Sequence, residues 1–212
     1  IRHAWKHYPM PPKAPEGAPN VLLIMTDDVG FAASSTFGGP IPTPTFDQLA
    51  ARGLRYNAFH NTGMCSPTRA ALLTGRNHHA VNSGAIENFS RDLEGYTAAI
   101  PKSAATIGRV LQDYGYQTAW FGKNHNTPSW ETTEAGPFDR WPNGLGFDYF
   151  YGFNDAWASQ FKPELVENRN QVPPPDQPGY TLDRDLSDHV IAWLRQEHVD
   201  APDEPFFIYL AP

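Results

Sequence analysis

The run NVLLIM (20–25) is continuously apolar and ends in Thr-Asp-Asp, a pattern that predicts a buried strand. TPTFDQLAARG (43–53) follows, with Thr43 placed to cap a helix, Pro44 at its first position and Gly53 at its stop. LRYNAFHN (54–61) has the composition of a second strand. SPTRAALLTG (66–75) predicts a short helix capped by Ser66 and closed by Gly75. SAATIGRVLQDYG (103–115) predicts another, with Ile107, Val110, Leu111 and Tyr114 on one face. QTAWFGKNH (117–125) is a third strand, and PFFIYLA (205–211) a fourth. Between them, TLDRDLSDHVIAWLRQE (181–197) is a helix, with Leu182, Leu186, Val190, Ile191 and Leu194 at helical spacing. Residues 126–180 are rich in Trp, Gly, Pro and Asn and follow no single period, so no element is assigned there.

This alternation predicts an α/β fold, a mostly parallel sheet flanked by helices with right-handed crossovers. Residues 1–19 are Pro-rich without an apolar period and read as an N-terminal arm, leaving 20–212 as the α/β domain. PFFIYLAP stops at the end of an apolar strand, so the chain is expected to be the N-terminal part of a larger domain, incomplete at its C-terminus.

Composition narrows the classes. With 40% apolar residues and a formal net charge of −7, the chain has no basic stripe for nucleic acid. No apolar run approaches a membrane span, and residues 1–19 do not read as a signal peptide. One cysteine cannot form an internal disulfide, so the compartment, cytoplasmic or periplasmic, stays open.

In an open α/β sheet, ligands collect at the carboxyl ends of the strands. The first strand ends at Asp27 and Asp28, and the third at Gly122, Lys123, Asn124 and His125. The loop after the second delivers Cys65 and Arg69 to a helix N-terminus. Each has an ordinary alternative: an Asp pair can simply start a turn, Lys123 and His125 can be a solvated strand end, and a lone cysteine is usually buried packing. Adjacent strand residues face opposite ways, so Asp27 and Asp28 can share one ion only if the backbone turns there. Their hard oxygens suit Ca2+ or Mg2+ better than zinc. The helix N-terminus beside Cys65 is an anion site, and Arg69, one turn on, carries a fork suited to an oxyanion. His3, His7, His78 and His79 read as loop residues, and Asn88-Phe89-Ser90 is a sequon.

Cys65-x-Pro67-x-Arg69, four residues and then Thr74-Gly75 resembles the signature of the type I sulfatases, in the bacterial arylsulfatase-like branch of the alkaline phosphatase superfamily. Gly122-Lys123-x-His125, TPTFDQLAARG and GLGFDYFYGF match further family segments, over about residues 20–212. The chain departs at Asn124, where such enzymes often carry tryptophan. The resemblance implies that a formylglycine-generating enzyme oxidises Cys65 to formylglycine, whose hydrate attacks sulfur, expels the alcohol and re-forms the aldehyde as sulfate leaves. It further implies Asp27 and Asp28 as ligands of Ca2+, with Mg2+ or Mn2+ as alternatives. It makes Cys65, Arg69, Lys123 and His125 catalytic, with Arg69 and Lys123 also binding a small-molecule sulfate ester.

The same resemblance implies that a further histidine, an Asp-Asn pair and a second lysine would follow Pro212, and that residues 1–212 alone would not turn over sulfate esters. Two alternatives stand beside it: a phosphonate monoester or phosphodiester hydrolase of the same superfamily, and a non-catalytic anion-binding fragment. The organic part of the substrate is not legible.

Overall fold

The structure, a computed structural model, describes residues 11–212 apart from the side chain of His198. Residues 11–19 hold a turn and no strand or helix, whereas residues 1–10, with His3 and His7, lie outside the described part. Among the described residues six strands form one sheet: β1 (Val21–Ile24), β2 (Gln117–Lys123), β3 (Tyr149–Phe153), β4 (Leu165–Glu167), β5 (Asn170–Val172) and β6 (Phe206–Ala211). The order is β1-β6-β2-β3-β4-β5. The four strands β1, β6, β2 and β3 run parallel, and β4 and β5 add an antiparallel edge beyond β3. Among the described residues four α-helices accompany the sheet: α1 (Pro44–Arg52), α2 (Cys65–Thr74), α3 (Ile107–Asp113) and α4 (Leu182–Asp200). The mostly parallel α/β architecture expected from the pattern is present.

Alternate residues of the central strands feed opposite faces, as the pleat requires. Trp120, Phe150, Phe207 and Tyr209 join Phe147, Trp141 and Leu73 of α2 in one cluster. Ala119, Phe121, Tyr151 and Ile208 meet Leu182, Leu186 and Val190 of α4 in the other. A parallel sheet covered on both faces explains why β2 and β6 read as nearly unbroken apolar runs.

Several expectations need correction. Residues 54–61 form no strand: Leu54, Tyr56 and Phe59 are 83%, 67% and 78% exposed, and no neighbouring strand receives their backbone. The first strand is not buried, because β1 stands at the sheet edge and leaves Leu22 and Ile24 exposed. The stripe predicted for α3 is only partly right. Leu111 packs on the core, but Val110 and Tyr114 are exposed. The helix docks instead through Gly108, where an added Cβ would lie 2.7 Å from the Phe147 ring. The unassigned stretch 126–180 supplies β3, β4 and β5 and the buried Trp141.

Candidate active site

Strand ends build the site. Met25, just past β1, still donates its N–H to the Leu210 carbonyl at 2.9 Å, so the chain leaves the sheet only afterwards. Asp28 then adopts φ 50°, a left-handed turn that Asp tolerates. The backbone thus turns at Asp28 itself. On β2, Gly122 has φ 95°, and a Cβ there would come within 2.1 Å of the Ala211 carbonyl oxygen, so no other residue fits. His125 also has positive φ, 53°. Two such positions flanking Lys123 mean that strand alternation does not orient Lys123 and His125 relative to each other.

Cys65 is the first residue of α2, a half-buried free thiol, with Met64 in the capping position. Ser66 therefore lies inside the helix rather than capping it. Its hydroxyl accepts the Glu87 N–H at 2.8 Å, and its carbonyl accepts Asn126 Nδ2 at 3.0 Å. Gly75 closes the helix at φ 64°, as expected.

Three of the residues singled out from the sequence meet directly. Lys123 Nζ donates to Asp27 Oδ2 at 2.7 Å, and Arg69 Nη2 donates to Asp27 Oδ1 at 3.2 Å. Arg69 is fully buried, and its Nη1 also donates to the Tyr209 hydroxyl at 3.2 Å and the Lys123 carbonyl at 3.3 Å. Much of the fork that the sequence offered to an oxyanion is thus engaged within the protein, while Nε is buried without a partner. Burial raises the Asp27 pKa, but the Lys123 hydrogen bond and the charges of Lys123 and Arg69 outweigh it and hold the carboxyl below its ordinary value. Asp27 is thus an anion clamped between two cations. The hydroxyl of Tyr209, buried beside Arg69, is pushed up and stays protonated.

His125 is buried, and its pKa falls to about 4. Desolvation is the largest cause, followed by the charges of Lys123 and Arg69. It is a neutral imidazole at neutral pH. The His125 backbone N–H donates to the Asn154 carbonyl at 3.2 Å, and ring Nε2 stands 2.8 Å from Asn88 Oδ1. The sequon asparagine therefore belongs to the site. Fully buried Asn124 holds the loop around it: Nδ2 donates to Thr127 Oγ1 at 2.7 Å and Asn154 Oδ1 at 2.8 Å, and Oδ1 accepts the Asn126 N–H at 3.2 Å. Position 124 is thus held by a small amide bonded to three partners.

Asp28 is exposed and bonds none of these groups. Asp27 and Asp28 fit a hard divalent cation in donor type. They supply only part of its six to eight oxygens, and no group of three or more His, Cys, Asp or Glu suited to a metal occurs among the described residues. His78 and His79 serve local structure, on the Ser83 carbonyl and the Tyr96 hydroxyl. Tyr209, Asn88, Asn154 and Glu87 were not found from the sequence. Tyr209 looks like any apolar strand residue, and Asn88 carried only the sequon as a signal.

Comparison with known proteins decides the family. Residues 19–212 match the profile described as Sulfatase. The chain belongs to the sulfatase family. A sulfatase of Schizosaccharomyces pombe is 33% identical over 180 residues, covering 81% of this chain and 31% of that protein. An arylsulfatase of Klebsiella aerogenes is 31% identical over 156 residues, covering 72% of this chain and 32% of that one. The crystal structure of Ps i-CgsB in complex with k-i-k-neocarrahexaose superimposes with a TM-score of 0.68 at 25% identity, over 91% of this sulfatase chain and 44% of that one. The chain thus spans about a third of the length of these curated relatives.

Proposed function

We propose that this sulfatase-family chain contributes to a site that hydrolyses sulfate monoesters at residue 65. The observation that carries the proposal is the clamp of Arg69 and Lys123 on Asp27, beside a helix N-terminus that begins at Cys65. Buried fixed cations at the mouth of a helix favour an anionic ester and the charge that builds on it in the transition state. Once oxidised to formylglycine, residue 65 would supply a hydrated aldehyde as the nucleophile toward sulfur. Lys123, with three donors and one on Asp27, has hydrogens left for a sulfate oxygen. Arg69 acts from behind, fixing Asp27, the Lys123 carbonyl and Tyr209 while its charge faces the site. Neutral His125 keeps one ring lone pair, which would accept a hydrogen bond from the hydrated residue 65 and take its proton as the aldehyde re-forms. Asp27 and Asp28 would hold a hard divalent cation, Ca2+ first, which when bound would neutralise sulfate charge.

The test is hydrolysis of an aryl sulfate and an aryl phosphonate by the protein that contains this chain, made with a formylglycine-generating enzyme. Preference for the sulfate is expected. Lys123→Ala should lower kcat/KM by about 100- to 1000-fold, the usual loss for one oxyanion donor. Preference for the phosphonate would replace the sulfatase reading with the phosphonate hydrolase one.

A further inference from the structure

Asn88 Oδ1 lies 2.8 Å from His125 Nε2, whereas the other ring nitrogen, Nδ1, is buried and has no partner. The imidazole is neutral, so one nitrogen carries the hydrogen and the other a lone pair. Two arrangements are open. With hydrogen on Nδ1, a buried N–H would be left without an acceptor, which is rare in folded proteins. With hydrogen on Nε2, the donor is satisfied by Asn88, and Nδ1 is an under-used acceptor, which proteins tolerate better. The second costs less.

We infer that Asn88 is the positioning residue of His125: it takes the Nε2–H and so leaves Nδ1 as the nitrogen that receives a proton. A proton arriving at Nδ1 forms its N–H bond with the ring lone pair, and the Nε2–H remains on Asn88 throughout. The ring does not have to rotate to pass between states. The Asn154 carbonyl, bonded to the His125 backbone, fixes the ring's root while Asn88 fixes its tip. Both asparagines line a cavity of about 420 Å3 that also contains Glu87, Asp155, Trp157 and Lys162. Asn88 is exposed to that cavity, so its amide stays accessible although its oxygen is engaged. The inference extends the proton-acceptor role given to His125 above, but its test does not depend on turnover.

The test is 15N NMR of the ring nitrogens in histidine-labelled protein at neutral pH, with the His125 signals assigned by their absence from His125→Gln. The expected spectrum has a protonated Nε2 and an acceptor Nδ1. Asn88→Asp keeps an acceptor oxygen and should retain that pattern. Asn88→Ala should lose it, giving mixed tautomers. A parent spectrum with the hydrogen on Nδ1 overturns the inference without any variant. So does a folded Asn88→Ala protein with an unchanged spectrum, because a merely structural asparagine would leave the tautomer alone. If Asn88→Ala does not fold, the parent and Asn88→Asp spectra still decide, and loss of the Nε2–H pattern in either refutes it.

Discussion

The chemistry of this chain depends on which side chains keep or lose charge. Asp27 stays ionised against its own burial because two buried cations face it, and His125 stays neutral because desolvation, and then the same two cations, oppose a further charge. The His125 effect should be visible in stability. Unfolded, the histidine binds a proton below about pH 6.5; folded, it does so only below about 4. Between those values the unfolded state holds more protons, so stability rises with pH across that window and is lost as the pH falls through it. The full loss is on the order of 3 kcal/mol. Urea melts from pH 7 to pH 4 should show this slope, and His125→Gln should flatten it. An equal slope in both proteins would show that other groups cause it. Legibility differed at this scale. Asp27, Lys123 and Arg69 were found from the ends of elements and from family motifs, because strand ends place such residues predictably. Asn88 and Tyr209 were not, because each acts by reaching a partner far away in sequence: 37 residues for Asn88 and 140 for Tyr209.

Among the elements, α4 shows a feature the apolar spacing did not contain. Its apolar face, Leu182, Leu186 and Val190, was readable from periodicity and does pack on the sheet. Its attachment also uses buried Asp185, which accepts the hydroxyls of Tyr151 at 2.7 Å and Tyr180 at 3.0 Å. His189, one turn later, stacks on the Tyr151 ring with centroids 3.6 Å apart. Asp185→Ala strands two tyrosine hydroxyls and should cost about 2–4 kcal/mol, whereas exposed Asp188→Ala should cost under about 0.5 kcal/mol. Chemical denaturation of both variants checks this; similar losses would reduce the cluster to decoration. The elements misread from sequence share a cause. LRYNAFHN has strand composition but no adjacent strand, and a strand exists only when a neighbour completes its hydrogen bonds. Edge position likewise left β1 half open, which composition alone does not reveal.

At the scale of the molecule, the sheet brings separate segments to one edge. The turn after β1 supplies Asp27 and Asp28, the end of β2 supplies Lys123 and the turn beyond it His125, β6 sends Tyr209 between them, and α2 brings Cys65 and Arg69. The order β1-β6-β2 places β6 between the two strands that supply charge, an order that follows from pairing and not from sequence position. A hard cation at Asp27 and Asp28 would tie β1 to this edge. Titration of Ca2+ into the metal-stripped full-length protein should give binding that weakens at least about tenfold in Asp27→Ala and in Asp28→Ala. Unchanged affinity in both variants would remove the metal from the account.

The central claim is that residue 65 becomes the nucleophile, and the most direct measurement is the mass of its peptide. The protein made with a formylglycine-generating enzyme should yield a peptide in which residue 65 has lost sulfur and two hydrogens and gained one oxygen, and aldehyde-reactive probes should label it. Arylsulfatase activity should rise in proportion to the converted fraction. A fully active preparation in which Cys65 remains an unmodified thiol would contradict the account.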